Sequence, residues 1–70
     1  MAKKELEELK NDYQAVFDEN GNVKGCGRAL CIKLMYSLKK FAPTADLGSF
    51  DTGFMNIETI KAEYHRLISQ

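Results

Sequence analysis

In 70 residues the sequence has no tryptophan, one proline, one histidine and two cysteines. A structural zinc site takes four ligands, and His65, Cys26 and Cys31 supply only three nitrogen or sulfur donors, so no metal site is expected. Cys26 and Cys31 are spaced C-x4-C. On one helix they would sit roughly 140° apart, which argues against a mutual disulfide. Cys31 reads as a small core residue, and Cys26 as a spectator thiol in a reducing compartment. The alternative for Cys26 is a reactive thiolate favoured by neighbouring Lys24 and Arg28. No apolar run approaches the ~18 residues that a membrane span needs. Met1-Ala2-Lys3-Lys4-Glu5 offers no apolar stretch of the signal-peptide kind, so the expected location is the cytoplasm. There is also no excess of charge of either sign: ten basic and ten acidic residues cancel. A neutral chain lacks the overall positive field of a broad phosphate-backbone binder, which argues against duplex DNA. Internal repeats and low-complexity tracts are absent too.

A hydrophobic content of 44% with 29% charged residues describes a folded chain rather than a disordered one. Residues 1–70 are expected to form one domain. A chain this short buries only about 60% of the surface its unfolded form exposes, so a metal, a disulfide or an oligomer would help it. Charge is unevenly distributed. Residues 1–20 set Lys3, Lys4 and Lys10 against Glu5, Glu7, Glu8, Asp12, Asp18 and Glu19. Residues 21–41 carry Lys24, Arg28, Lys33, Lys39 and Lys40 without a single acid, and residues 42–70 return to a small acidic excess. Such asymmetry suits pairing within or between chains, or an anionic partner.

The periodicity predicts an all-α domain of three helices. Leu6, Leu9, Tyr13, Val16 and Phe17 recur at helical spacing and predict a first helix over about 3–17. Asp18-Glu19-Asn20-Gly21-Asn22 ends it, and the Asn-Gly pair allows either a minimal β-hairpin at 16–24 or an extended loop. The same acidic stretch is no calcium loop: counting from Asp18, the sixth position is Val23 where glycine is needed, and the twelfth is Ala29 where glutamate is needed. A second helix is expected over about 27–41, with Leu30, Leu34, Leu38 and Phe41 on one face, widened by Cys31 and Met35. Ile32 and Tyr36 lie on a further side, leaving a narrow polar stripe of Lys33, Ser37 and Lys40. A helix apolar over so much of its girth needs cover on several sides, so a homo-oligomer with this helix near the interface is expected. Pro43 stops it, and 42–55 reads as a long connection in which Thr44 caps a single helical turn. The third helix is expected over about 56–69. Asn56 is its N-cap, Met55 and Ile60 form a hydrophobic staple, and Ile57, Ile60, Tyr64, Leu67 and Ile68 make its buried face.

Lys24-Gly25-Cys26-Gly27-Arg28 is the most informative short stretch. Unpaired N–H groups at a helix start hold anions, glycines let the backbone approach a ligand, and Lys and Arg add full charges that match phosphate oxygens. The spacing matches neither nucleotide-binding glycine motif, and the competing reading is a glycine turn with a helix cap. The expected function is therefore a non-enzymatic binding protein for a phosphate-bearing small ligand, of the nucleotide or cyclic-nucleotide-messenger type. Lys24, Gly25, Gly27 and Arg28 would hold the phosphate, and Tyr13, Tyr36 or Tyr64 would stack a base, in a pocket shared between protomers. Small sequestering proteins of the kind phages make are one setting for such an activity. The alternative is a helical protein-interaction module, an inhibitor or adaptor, anchored by Phe50, Phe54 and Met55 of the 42–55 loop. Nucleic-acid binding is a further alternative, weakened because 42–55 is far longer than the turn of a helix-turn-helix. No cofactor is implied. His65 reads as an edge-of-face residue, and nothing in its spacing makes it the base of a nucleophile at Cys26.

Overall fold

The computed structural model of this protein describes residues 3–25 and 27–69, and Cys26, with both readings of its thiol, lies outside them. Three helices form where periodicity predicts them: α1 over Lys3–Val16, α2 over Arg28–Lys39 and α3 over Ile57–Ile68. Each is slightly shorter than expected because the flanking residues act as caps or turns. Gly27 and Asn56 stand at N-caps, and Lys40 and Ser69 at C-caps. Asn56 accepts a hydrogen bond from Thr59 N at 3.5 Å through its side chain, as the sequence predicts for the start of α3.

The core is the shared interior of the three helices. Leu9 and Val16 of α1, Leu34, Met35 and Leu38 of α2 and Ile60 of α3 are fully enclosed. Burying each large aliphatic side chain contributes ~2 kcal/mol. Four side chains lie on the other side of the surface from where the sequence places them. Ser37, placed on the polar stripe of α2, is buried, and its hydroxyl donates to Asp12 Oδ2 of α1. Lys33 reaches the same carboxylate, with Nζ 3.5 Å from Oδ1. A buried hydroxyl is tolerable because this carboxylate satisfies it, and the clasp fixes α1 against α2. Leu30 on α2, and Ile57 and Ile68 on α3, are exposed instead of buried.

Between α1 and α2 the hairpin, not the open loop, forms in its smallest version. Phe17 and Val23 make a single antiparallel bridge, and Asp18 N donates to Asn22 O at 2.9 Å. Gly21 adopts φ +81, the left-handed position that closes a turn of this kind. Asp18 Oδ1 accepts from Asn20 N and Asn22 N, both at 2.9 Å, and Lys61 of α3 donates to Gly21 O at 3.0 Å.

The 42–55 segment also differs from expectation. In place of a helical turn capped by Thr44, Ala45 N donates to Ala42 O across a turn that holds Pro43 in its second position. An antiparallel pair follows, β1 (Gly48–Ser49) and β2 (Phe54–Met55), in register Gly48 with Met55 and Ser49 with Phe54. Gly48 has φ +123, and a Cβ there would overlap the Phe54 carbonyl oxygen and lie 2.9 Å from Asn56 N. Leu47 is buried in the core and Met55 packs against it, so the hairpin lies on α2 and covers one of the sides that the sequence reading assigns to another copy.

Candidate functional site

The residues expected to hold a phosphate sit at the start of α2, and the structure divides them. Lys24 turns to the end of α1: its backbone N–H donates to Val16 O and its Nζ to Gln14 O, both at 2.7 Å. A cation on the last carbonyls of a helix meets the negative end of its dipole. Arg28 belongs to the other hairpin. Its aliphatic stem covers Gly53, where a Cβ would overlap Arg28 Cγ and lie 3.2 Å from Cδ. The two cations thus contact different parts of the fold.

Between them, Gly25 and Gly27 have negative or extended φ, and a Cβ on either would meet nothing within 4 Å. Neither packing nor backbone conformation demands glycine there. Among the described residues no side chain caps the α2 N-terminus, in contrast to Asn56 at α3.

Tyr13 lies deeper than a base-stacking residue should. Its ring stacks on Tyr64 at 3.7 Å between centroids and 4° between planes, and on Phe17 at 4.6 Å and 24°. Two rings at those distances cannot share one face, so both faces of Tyr13 are covered by rings of the chain itself. Tyr64 has one face on Tyr13, and His65 meets both tyrosines edge-on at 5.6–6.1 Å while remaining exposed, in keeping with its edge position. Burial raises the pKa of both tyrosine hydroxyls, and at Tyr64 the Tyr13 hydroxyl adds to the effect.

Tyr13 and Lys24 nevertheless line one groove of about 630 Å³, where the end of α1, the 17–23 turn and α3 meet. Its other walls are Gln14, Phe17, Asp18, Glu19, Asn20 and Tyr64. Asp18 and Glu19 outnumber Lys24, so this groove is a poor place for a phosphate.

The expected interaction residues fare differently from one another. Phe54 is 79% exposed, the most outward of the exposed large apolar side chains. Phe50 is half-buried against Tyr36 of α2, with ring centroids 4.7 Å apart, and Lys39 Nζ stands 5.1 Å from the Phe50 centroid. Met55, on the opposite face of β2 from Phe54, serves the core. Arg28, Tyr36 and Lys39 are the members of this surface that sequence reasoning leaves out. Their signal was present in α2, whose basic positions interleave with Tyr36, but the hairpin that gathers them was not visible.

Among the described residues no group of three His, Cys, Asp or Glu side chains is placed to hold a metal ion, and no helix is long and apolar enough to cross a membrane. No protein-family model, curated protein or solved structure matches this chain.

Proposed function

We propose that the protein is a non-enzymatic docking module that seats the β1–β2 hairpin on another protein. Phe54 carries this reading: a large apolar side chain held 79% exposed by a hairpin whose backbone is fixed at Gly48 and whose other face is anchored in the core. Val23, Leu30, Ile57 and Ile68 are each about two-fifths exposed, which is ordinary for a small protein surface. Phe54 stands apart from them, and transferring it from water into a partner's pocket contributes ~2 kcal/mol. Tyr36, 55% exposed, and Phe50 extend the aromatic surface of the same region. Arg28 and Lys39 give that region a basic border. Aromatic residues and arginine are the side chains that dominate binding energy at protein interfaces. The complementary partner is a protein surface with an apolar pocket ringed by carboxylates.

The test is affinity capture with the wild-type chain and with Phe54→Ser as baits, compared at low and high salt. The expected result is a protein retained by the wild type, lost with Phe54→Ser, and held more weakly as salt rises. Equal recovery by both baits overturns the reading. Sedimentation at micromolar concentration decides whether the occupant is a second copy of the chain.

A second reading is favoured by a different observation, the open and uncapped start of α2. Under it, the N–H groups beyond Gly25 and Gly27 and the Arg28 guanidinium hold a phosphate-bearing small ligand, with Lys24 released from Gln14 to join them. Titration with inorganic phosphate and with nucleotides tests it. Shifts confined to Gly25, Gly27 and Arg28 amides that vanish in Lys24→Ala with Arg28→Ala support it, and unchanged binding in that variant refutes it.

A further inference from the structure

The solvent face of α2 is an apolar row bordered by cations on both sides. Cys31, Leu34, Met35, Ser37 and Leu38 are buried against the rest of the fold. Apart from Leu30 in the first turn, the outward positions lie within an arc of roughly 140°, at about 100° per residue. Tyr36, 55% exposed, stands near the middle of that arc, in line with exposed Ala29 and half-buried Ile32. Arg28 and Lys39 border the row on the side of the hairpin, and Lys33 and the C-cap residue Lys40 border it on the side of α1. Ala29, Ile32 and Tyr36 follow the a–d–a spacing of a helix-pairing seam. In that register Arg28 falls at g and Lys33 and Lys40 at e, the positions that select a partner helix by charge, and Lys39 ends the seam at the next d position.

The chain itself answers little of this charge. Residues 21–41 contain no acid. Among the described residues the ion pairs are Lys33 with Asp12 and Arg66 with Glu63, which leaves Arg28, Lys39 and Lys40 without a carboxylate in contact. Lys33 keeps its side chain 68% exposed even while paired. Lys39 turns to the Phe50 ring, and the contact of Phe50 with Tyr36 joins the seam to the aromatic surface of the hairpin. Solvated cations alone are ordinary on a helix, and the apolar row between them is what sets this face apart.

We infer that the solvent face of α2 receives an amphipathic helix of another protein, with the apolar stripe of that helix on Ile32 and Tyr36 and its carboxylates facing Arg28 and Lys39 on one flank and Lys33 and Lys40 on the other. This rests on the docking reading above and gives its partner a shape: an acid-flanked helix beside the pocket that takes Phe54. Charge complementarity selects that occupant over a second copy of the chain. Two α2 faces laid together would oppose cation to cation. The solvent face of α1, with Lys4, Glu7, Glu8, Asn11 and Gln14, offers no apolar stripe, and that of α3 sets Glu58 beside His65 and Arg66.

Two designed helical peptides with the same leucine seam, one flanked by glutamate and one by lysine, are titrated into the full chain and followed by heteronuclear NMR. The glutamate peptide should shift the amides of Ala29, Ile32, Lys33, Tyr36 and Lys40, and the lysine peptide should leave them in place. Tyr36→Ala should weaken the glutamate peptide about tenfold, as loss of a central aromatic contact does. Lys40→Glu, at an exposed position with no ion pair to break, should weaken it roughly fivefold to tenfold, by an amount that shrinks as salt rises. It remains informative if Tyr36→Ala disturbs the packing of Phe50. Equal binding of the two peptides, shifts away from α2, unchanged affinity in both variants, or tighter binding of oligothymidylate to the same face overturns the inference. Phe54→Ser separates it from the docking reading: if that variant loses partner capture while the glutamate peptide fails to bind the wild type, the hairpin docks and the helix inference alone falls.

Discussion

The turn at 17–23 and the hairpin at 48–55 each reverse the chain between two helices, and each requires glycine at positive φ: Gly21 in the first, Gly48 and Gly53 in the second. They differ in what holds them. The first is tied down by polar groups from both sides, with Lys24 on Gln14 O, Lys61 on Gly21 O and Asp18 bracing its own backbone. The second is held by apolar contact and close backbone approach, with Leu47 and Met55 in or against the core and Gly48 pressed on the Phe54 carbonyl. That difference decides what each can present. A turn wrapped in its own hydrogen bonds shapes a polar groove, whereas a hairpin anchored on one face is free to offer an apolar side chain on the other. Phe54 and Met55 divide these tasks between adjacent residues of one strand.

Substituting the glycines separates the two kinds of anchoring. Gly48→Ala should have the largest effect, because the added methyl meets backbone atoms that cannot yield and the φ is one that alanine avoids. We expect a loss of ~3 kcal/mol, combining backbone strain with displacement of the strand pair. Urea unfolding followed by circular dichroism measures it, and a loss under 1 kcal/mol would mean that the hairpin re-forms elsewhere on α2. Gly21→Ala should cost less, about 1–2 kcal/mol, since the left-handed φ is again unfavourable. Here the nearest atom is only the flexible tip of Lys61, 2.9 Å away, which can move aside. If Gly21→Ala proved the more damaging of the two, polar clamping and not backbone packing would be the main anchor of the fold.

Lys61→Met isolates that clamp. It removes the donor to Gly21 O while keeping most of the aliphatic stem, so we expect a loss of ~0.5–1 kcal/mol, the usual net contribution of one partly exposed hydrogen bond. The same unfolding experiment reads it. Faster amide exchange at Asn22 and Val23, with no change at Gly48 to Met55, would show that the two reversals respond independently.

These two regions also mark where the sequence could be read and where it could not. The 17–23 turn was legible because Asn20-Gly21 is a strong local signal and because the helix before it has an apolar period that stops at Phe17. The start of α3 was legible for the same reason, through Asn56, whose side chain accepts from Thr59 N. The 48–55 hairpin was not, because two-residue strands are too short to show alternation, and its decisive contact is between a glycine and a distant carbonyl. The burial of Ser37 was equally hidden. A serine between Lys33 and Lys40 reads as solvent-facing until Asp12, twenty-five positions away in sequence, arrives beside it. The candidate site was divided for a related reason. Lys24 and Arg28 are four positions apart in sequence, but their anchors, Gln14 and Gly53, belong to opposite ends of the chain.

Phe54→Ser should have the smallest effect on stability of these changes and is the sharpest probe of the comparison. A side chain 79% exposed buries little on folding, so its removal should shift the unfolding free energy by no more than about 0.5 kcal/mol. A stability loss well above that would mean that Phe54 packs in solution, returning the hairpin to a purely structural part like the 17–23 turn. An unchanged or slightly raised stability, together with loss of partner capture, would separate folding from docking at a single residue. The result is informative because Met55 is the internal control. Met55→Ser sits on the same strand, faces the core, and should lose stability by ~2 kcal/mol through exposure of an apolar contact. Two neighbouring serine substitutions with opposite signatures, one on unfolding and one on binding, are what a hairpin anchored on one face and presented on the other requires.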